Sequence, residues 1–329
     1  MALMGEVTRM SSPACFSRFP EACDCVNAPQ SVPSARSSRA NSRSKQRALS
    51  YRPPTALADL HILDLVELTG TQERAALAMD LHQSTISRSM QLLSRQFRLV
   101  PGQSPLVCRY GHNDCLRYLR LAYREHRLMQ GLLRIGSDLM HQALLGSVGG
   151  HLPVPVQFRP MSDWVELIRE ALLDAAIVSG WSLDQPAAEP QRMKWEGVTS
   201  LVLGNLPLQL VAADPSSRTI LMPRRHEAPA LHHTLTGDGW LLLEGPRGCH
   251  NQQAWVCQAQ RHGCAIPICA PLLPEQWLKQ RGLLPLVDAP PLRAPLWFLM
   301  PQAAGPRLRL WQRMGRKLEQ LTAAAAARS

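Results

Sequence analysis

The sequence predicts a multidomain α/β protein: an all-α module near its start, one connecting helix, and an α/β domain in the C-terminal half. Three observations carry this. Composition shifts at about residue 55, where a Ser, Arg and Pro-rich stretch gives way to apolar periodicity. Two short helical patterns joined by a polar turn occupy residues 70–98. From Leu132 onward, apolar runs of strand length alternate with helical stretches. A chain of 329 residues has room for two or three such domains.

Residues 1–55 read as a disordered basic tail. Ser31 to Arg52 holds almost no large apolar side chains. Arg36, Arg39, Arg43, Lys45 and Arg47 form either a flexible arm for nucleic-acid phosphates or a solvated tail, and an extension from a start codon placed too early is a third reading. Cys23-Asp24-Cys25 is too tightly spaced for a metal site.

The net charge of +11 favours a polyanionic partner, and its distribution says more than its total. Residues 1–56 hold eight Lys or Arg against three acids, whereas residues 57–131 hold nine Arg against seven. In that second block the arginines matter by position. No apolar run reaches membrane-spanning length, the first ten residues lack a secretory core, and nine cysteines at irregular spacing argue against a disulfide framework. A cytoplasmic protein with no membrane association is expected.

Residues 56–111 are predicted to form a winged helix-turn-helix. Ala75, Ala76 and Met79 give one short helix an apolar face, and Asp80 to Gln83 breaks the pattern. Ser84-Thr85 restarts a helix with a capping hydroxyl, and Ile86, Met90 and Leu93 form its buried face. Gln83, Ser84, Thr85, Ser87, Arg88, Gln91 and Arg95 are left outside, a pattern suited to the major groove of double-stranded DNA. Arg88 is the expected base reader, since its planar fork can bond guanine O6 and N7 together. Gln83 suits adenine or a phosphate, and the hydroxyls suit phosphates; Ser84 as a cap alone is the structural alternative. Leu99 to Tyr110, with Pro and Gly around a short apolar piece, suits a two-stranded wing.

Residues 112–131 read as one helix. Leu116, Leu119 and Tyr123 form one stripe, and Arg117, Arg120, Arg124 and Arg127 a basic stripe beside it, expected to face solvent or DNA. Residues 132–329 follow. Strands are predicted at 132–136, 154–158, 174–178, 201–203, 208–212, 240–243 and 296–300, with helices from Asp138, over 163–173 and over 307–326. The expected sheet is mostly parallel, and Asp163 and Glu166 have capping-box spacing.

The stretch from about Leu57 to Phe97 resembles the LysR-type transcriptional regulators. Leu57, Leu60, Leu63 and Val66 precede Gly70-Thr71, Ala75-Ala76 matches the family's double Ala, and Gln83-Ser84-Thr85-Ile86-Ser87-Arg88 matches its recognition helix. Arg134-Ile135-Gly136 and Leu173-Asp174-Ala175-Ala176-Ile177 resemble pieces of its effector domain. The resemblance implies a two-lobed C-terminal domain around a small-molecule cleft, a connecting helix that pairs two subunits in a homodimer or homotetramer, and operators that are inverted repeats. It places Ser137 and Ser162 near an effector, where capping is the competing role, and Arg109 near a phosphate. Two departures stand out. Arg98 occupies the family's usual Gly, without the family's wing motif after it, and the chain runs almost directly from Ile266-Pro267-Ile268 to Leu273-Pro274 where a Gly-rich turn and helix are usual.

Cys249 and Cys257 resemble the reactive pair of peroxide-sensing members, one residue closer together, and buried structural thiols are the alternative. A constitutive DNA-binding protein with a degenerate effector domain and a cysteine-based redox regulator are the other two functional readings. No nucleophile elbow, phosphate loop, dinucleotide fingerprint or zinc-protease motif is present, and His226, His232, His233 and His250 lack ligand spacing. Neither an enzyme, a cofactor nor a metal site is expected.

Overall fold

The computed structural model describes residues 57–102, 107–152, 154–186, 191–245, 251–274, 276–302 and 308–328. The basic tail, the centre of the expected wing, and Cys249 lie outside them.

Three helices come first: α1 (Ala58–Thr69), α2 (Gln72–Met79) and α3 (Gln83–Gln96). Gly70 ends α1 in a left-handed cap, and the Thr71 side chain caps α2 by accepting from Arg74 N. Ser84 does not cap α3. Its N-cap is His82, without a side-chain bond, and Ser84 falls inside the first turn. No strand forms among the described residues of the expected wing, although Gly102 N donates to Arg109 O across its base (3.1 Å). Asn113 caps α4 (Asp114–Met129) by accepting from Leu116 N.

The α/β body contains β1 (Leu133–Ser137), α5 (Gln142–Gly146), β2 (His151–Leu152), α6 (Met161–Arg169), β3 (Ala175–Ser179), β4 (Lys194–Trp195) and β5 (Val198–Ala212). Then come β6 (Thr219–Met222), α7 (Pro229–Gly237), β7 (Leu241–Glu244), α8 (Gln252–His262), β8 (Ile266–Ile268), α9 (Trp277–Gln280), β9 (Leu284–Pro285), β10 (Leu292–Pro301) and α10 (Leu308–Ala326). The main sheet has the order β2-β1-β3-β10-β5-β4. It is mixed rather than mostly parallel: β1 pairs parallel with β2 and β3, while β10 runs antiparallel to both β3 and β5. The far half of β5 pairs with β8 and β9, and a bridge from Ile220 to Ala265 attaches the parallel β6–β7 pair. One long strand therefore threads two sheet regions.

Several differences from the sequence reading have local causes. The strand expected at 154–158 does not form; the short β2 lies ahead of it at His151–Leu152, and Pro155 offers no ladder donor within the expected span, though Gln157 N donates to Ser137 O. The strands expected at 201–203 and 208–212 are one. Gly204 (φ +129°) absorbs the register shift opposite Leu296, so the chain crosses what looked like a break. The helix expected from Asp138 is a short turn before α5. Pro160 rather than Asp163 precedes α6, and Asp163 is buried, so the capping box does not form.

The larger correction concerns α1 and α4. All residues of α1 from Ile62 to Thr69 are buried, including Asp64 and Glu67. One apolar cluster joins Leu63, Val66, Ile86 and Met90 to Trp164, Ile168, Leu173 and Trp297 of the body. The N-terminal helices thus share a core with the α/β body. Within α4, Arg120, Arg124 and Arg127 are buried, so most of the basic stripe faces the interior and not solvent or DNA, while Arg117 stays half-exposed.

Candidate nucleic-acid interface

The sequence puts Ile86, Met90 and Leu93 three and four residues apart, and these anchor α3 against α1 and α2. Ser89 Oγ donates to Asp59 Oδ1 (2.7 Å), pinning the helix against rotation. The opposite face carries Gln83, Ser84, Thr85, Arg88, Gln91 and Arg95, all exposed, with Ser87 half-buried at its edge. No acidic residue lies on α3, and neither Arg88 nor Arg95 has an ion-pair partner among the described residues. At 1.5 Å per residue the face from Gln83 to Arg95 is about 18 Å long, the length of roughly five base pairs at 3.4 Å each. The helix dipole leaves its N-terminal amides, beside Ser84 and Thr85, favourable to a phosphate. Such a face can hydrogen-bond base edges and neutralise phosphates together.

Arg109 sits differently. Its Nη2 donates to Gly70 O (2.7 Å), its Nε is buried, and its backbone N donates to Glu67 Oε2 (2.9 Å). It closes the loop onto the end of α1.

Behind this face lies a buried ionic seam that sequence reasoning missed. Asp64, fully buried, accepts from Arg120 Nε (2.8 Å) and Arg134 Nη1 (2.9 Å). Asp174, also fully buried, accepts from Arg127 Nε (3.0 Å) and Nη2 (2.6 Å) and from Arg134 N (2.7 Å). Arg124 donates to the carbonyls of Ile168 and Leu173. Burial works against ionisation of Asp174, yet the adjoining Arg127 and Arg124 cations win and hold its carboxyl below the ordinary range. His61 Nδ1 accepts from Tyr123 Oη (2.9 Å) and Arg134 Nη2 (3.0 Å). Burial, reinforced by the Arg134 cation, pushes His61 down to about 4, so the ring is neutral with its proton on Nε2. Arg159 donates to Leu68 O (2.7 Å), and burial lowers it to about 10. The available signal was Asp64 and Glu67 inside an otherwise apolar helical run, an expensive placement unless each is partnered.

In the body, Ser137 is buried and its hydroxyl donates to Asp138 O (3.2 Å). The Asp138 carboxylate accepts from Met140 N, His141 N and His141 Nδ1 (3.0, 3.0 and 2.7 Å), leaving His141 Nε2 buried without a hydrogen-bond partner among the described residues. Ser179 Oγ donates to the same carboxylate (3.4 Å). Ser162 is instead exposed on the first turn of α6. Cys257 is half-buried on α8, where its Sγ accepts from Gln253 Nε2 (3.5 Å). No helix of the described residues is long and apolar enough to cross a membrane.

No family model matches the chain, and no curated protein matches it. Among solved structures it is similar to ArgP from Mycobacterium tuberculosis, with 16% identity and a TM-score of 0.43 over 79% of this chain and 96% of that one. It is similar to CbnR, described as a LysR family transcriptional regulator, with 14% identity and a TM-score of 0.44 over 79% and 99% of the two chains. A peroxide-bound OxyR variant from Corynebacterium glutamicum gives 14% identity and a TM-score of 0.44 over 84% and 95%. CbnR is of the family that the sequence motifs resemble.

Proposed function

We propose that this protein is a sequence-specific, DNA-binding transcriptional regulator of the LysR type. The observation that supports the reading is the outer face of α3: exposed, polar, free of acids and held by an apolar anchor on its inner side. Arg88 reads a guanine in the major groove, Gln83 reaches an adenine or a phosphate, and Ser84, Thr85, Ser87 and Arg95 bond phosphates. Residues 56–111 act as the reading module, with Gly102 N donating to Arg109 O beside α3.

Residues 112–131 supply the dimer contact. The exposed side of α4 carries Cys115, Tyr118, Ala122 and Met129 at spacings of three, four and seven residues, a stripe suited to a second copy. Two copies related by a two-fold axis set their α3 helices in successive major grooves, about 34 Å apart, on an inverted repeat. Residues 132–329 form the responsive domain. A small effector is held beyond the ends of the parallel strands β1 and β3, by Ser137, by the unpartnered His141 Nε2 and, at the rim, by Ser162. For it to act, its affinity must differ between two conformations.

Binding of the purified protein to its own upstream DNA, as a salt series beside Arg88→Ala, tests the reading. The parent prefers that DNA over random duplex, and Arg88→Ala loses about 5- to 150-fold of the preference, the worth of one bidentate contact at ~1–3 kcal/mol. Equal binding of every duplex by parent and variant overturns it.

A further inference from the structure

Cys108, His112 and Glu170 meet where the loop before α4 touches the end of α6. One ligand atom from each, Cys108 Sγ, His112 Nδ1 and a Glu170 carboxylate oxygen, lie within 4.8 Å of one another. We propose that these three side chains bind a thiophilic divalent cation, Zn2+, with water in the fourth position, and that the bound cation clamps the N-terminal helices to the α/β body. Nothing in this depends on α3 reading DNA.

The loop is built to present the cluster. Glu67 accepts from Arg109 N and Tyr110 N (2.9 and 2.8 Å), the two amides that follow Cys108. Cys108 itself takes a left-handed backbone (φ +54°), a conformation costly for a residue with a Cβ. Gly111 N donates to Cys108 O (3.2 Å), and a side chain at Gly111 would collide with Leu99, so the turn has one shape. Cys108 and His112 are thereby fixed four residues apart on a rigid turn. Glu170 arrives from the other side, at the C-terminal cap of α6.

The chemistry of the donor set points the same way. Glu170 Oε2 is buried, and its polar contact among the described residues is His112 Nδ1, 2.9 Å away but outside hydrogen-bond geometry. A buried carboxylate oxygen met only by one misaligned imidazole nitrogen is poorly compensated, and a cation between the two side chains removes that cost. Arg120 Nη1 donates to Cys108 Sγ (3.5 Å), and burial pushes the thiol up to about 12, so the cation itself has to displace the proton. One thiolate and one carboxylate neutralise a divalent ion, so the loaded site carries no net charge. Sulfur, nitrogen and oxygen together select zinc over calcium or magnesium. Tetrahedral zinc spaces its ligand atoms about 3.3–3.8 Å apart, so the cluster, now 2.9 Å between His112 and Glu170 and 4.8 Å at most, needs an adjustment that the half-exposed His112 side chain is free to make. On loading, the Cys108 thiol gives its proton to water on that open side and the Zn–S bond replaces the S–H bond.

The full chain is stripped with a chelator, then titrated with Zn2+ against a chromophoric competitor and, separately, with Co2+. The expected result is one tight equivalent per chain, a thiolate-to-cobalt charge-transfer band, and a higher unfolding temperature when zinc is present. His112→Ala weakens uptake about 100-fold or more and abolishes the thermal shift, and Cys108→Ser also loses the charge-transfer band. Because His112 is half-exposed, its variant keeps the fold, as an unchanged far-ultraviolet dichroism spectrum verifies, so the test stands even if Cys108→Ser misfolds. The absence of a tight equivalent in the parent overturns the proposal, and so does uptake by His112→Ala that equals the parent's.

Discussion

Asp64→Asn probes the ionic seam most directly. The substitution keeps the volume of the side chain and removes its charge, leaving Arg120 and Arg134 without the carboxylate that both now share. Breaking one partner of a buried pair costs ~3–5 kcal/mol, because the other charge stays buried. Asparagine retains one acceptor oxygen, so the lower end applies, about 3 kcal/mol. At roughly 2–4 °C per kcal/mol for a chain of this size, the unfolding midpoint falls by about 6–12 °C. The comparison is Asp114→Asn, which loses only the exposed, 3.8 Å approach to Arg117 and changes stability by less than about 0.5 kcal/mol. Thermal and urea unfolding are followed by circular dichroism on both variants and the parent. A shared core further requires one cooperative transition that moves as a whole. The reasoning fails if Asp64→Asn loses no more than Asp114→Asn, or if a separate N-terminal transition moves while the body's stays fixed.

Two further outcomes follow from single residues. His61 is protonated in the unfolded chain below pH 6.5 but resists protonation in the folded protein until about pH 4. The unfolded state therefore binds more protons in that window, and stability falls as pH drops through it, by about 3 kcal/mol in total. His61→Gln keeps an acceptor for Tyr123 and Arg134, so its urea midpoint declines less between pH 7 and pH 4, and parallel declines would refute the assignment. Gly204→Ala forces a side chain into a backbone region open essentially to glycine, with its Cβ 3.3 Å from Thr322 Cγ2. About 1–3 kcal/mol is lost, against no more than about 0.5 kcal/mol for Gly149→Ala, whose Cβ meets nothing within 4 Å.

What the sequence made legible was local. The apolar anchors Ile86, Met90 and Leu93, the exposed face around Arg88, the helix expected over 112–131 and the strands expected at 132–136, 174–178 and 296–300 declare themselves by spacing, to within a residue or two at most ends, although β10 begins four residues earlier than expected. Strand direction did not, because β10 returns antiparallel between β3 and β5 to pair with residues far earlier in the chain, Leu292 with Leu208 and Leu299 with Ala176. The arginines of α4 misled for a related reason. Helical spacing shows that Arg120, Arg124 and Arg127 share a face, but only Asp64, Asp174 and the carbonyls of Ile168 and Leu173 decide that the face is interior. Cys108 and His112 stand four residues apart, a spacing that sequence reading passed over, and Glu170 joins them only through the packing of α6.

The shared core also bears on how the molecule can be divided. A boundary at residue 111 or 131 looks natural from composition, since a helical module ends there and an α/β one begins. A fragment ending at residue 111 would retain Asp64 while losing Arg120 and Arg134, and a body beginning at residue 132 would retain Asp174 without Arg124 and Arg127. Each piece would bring to water an apolar wall that the other now covers, with an unmatched carboxylate set in it. Helix α3 and the α/β body are therefore to be exchanged or engineered as a single piece, and a chimera that borrows one half must borrow the seam with it.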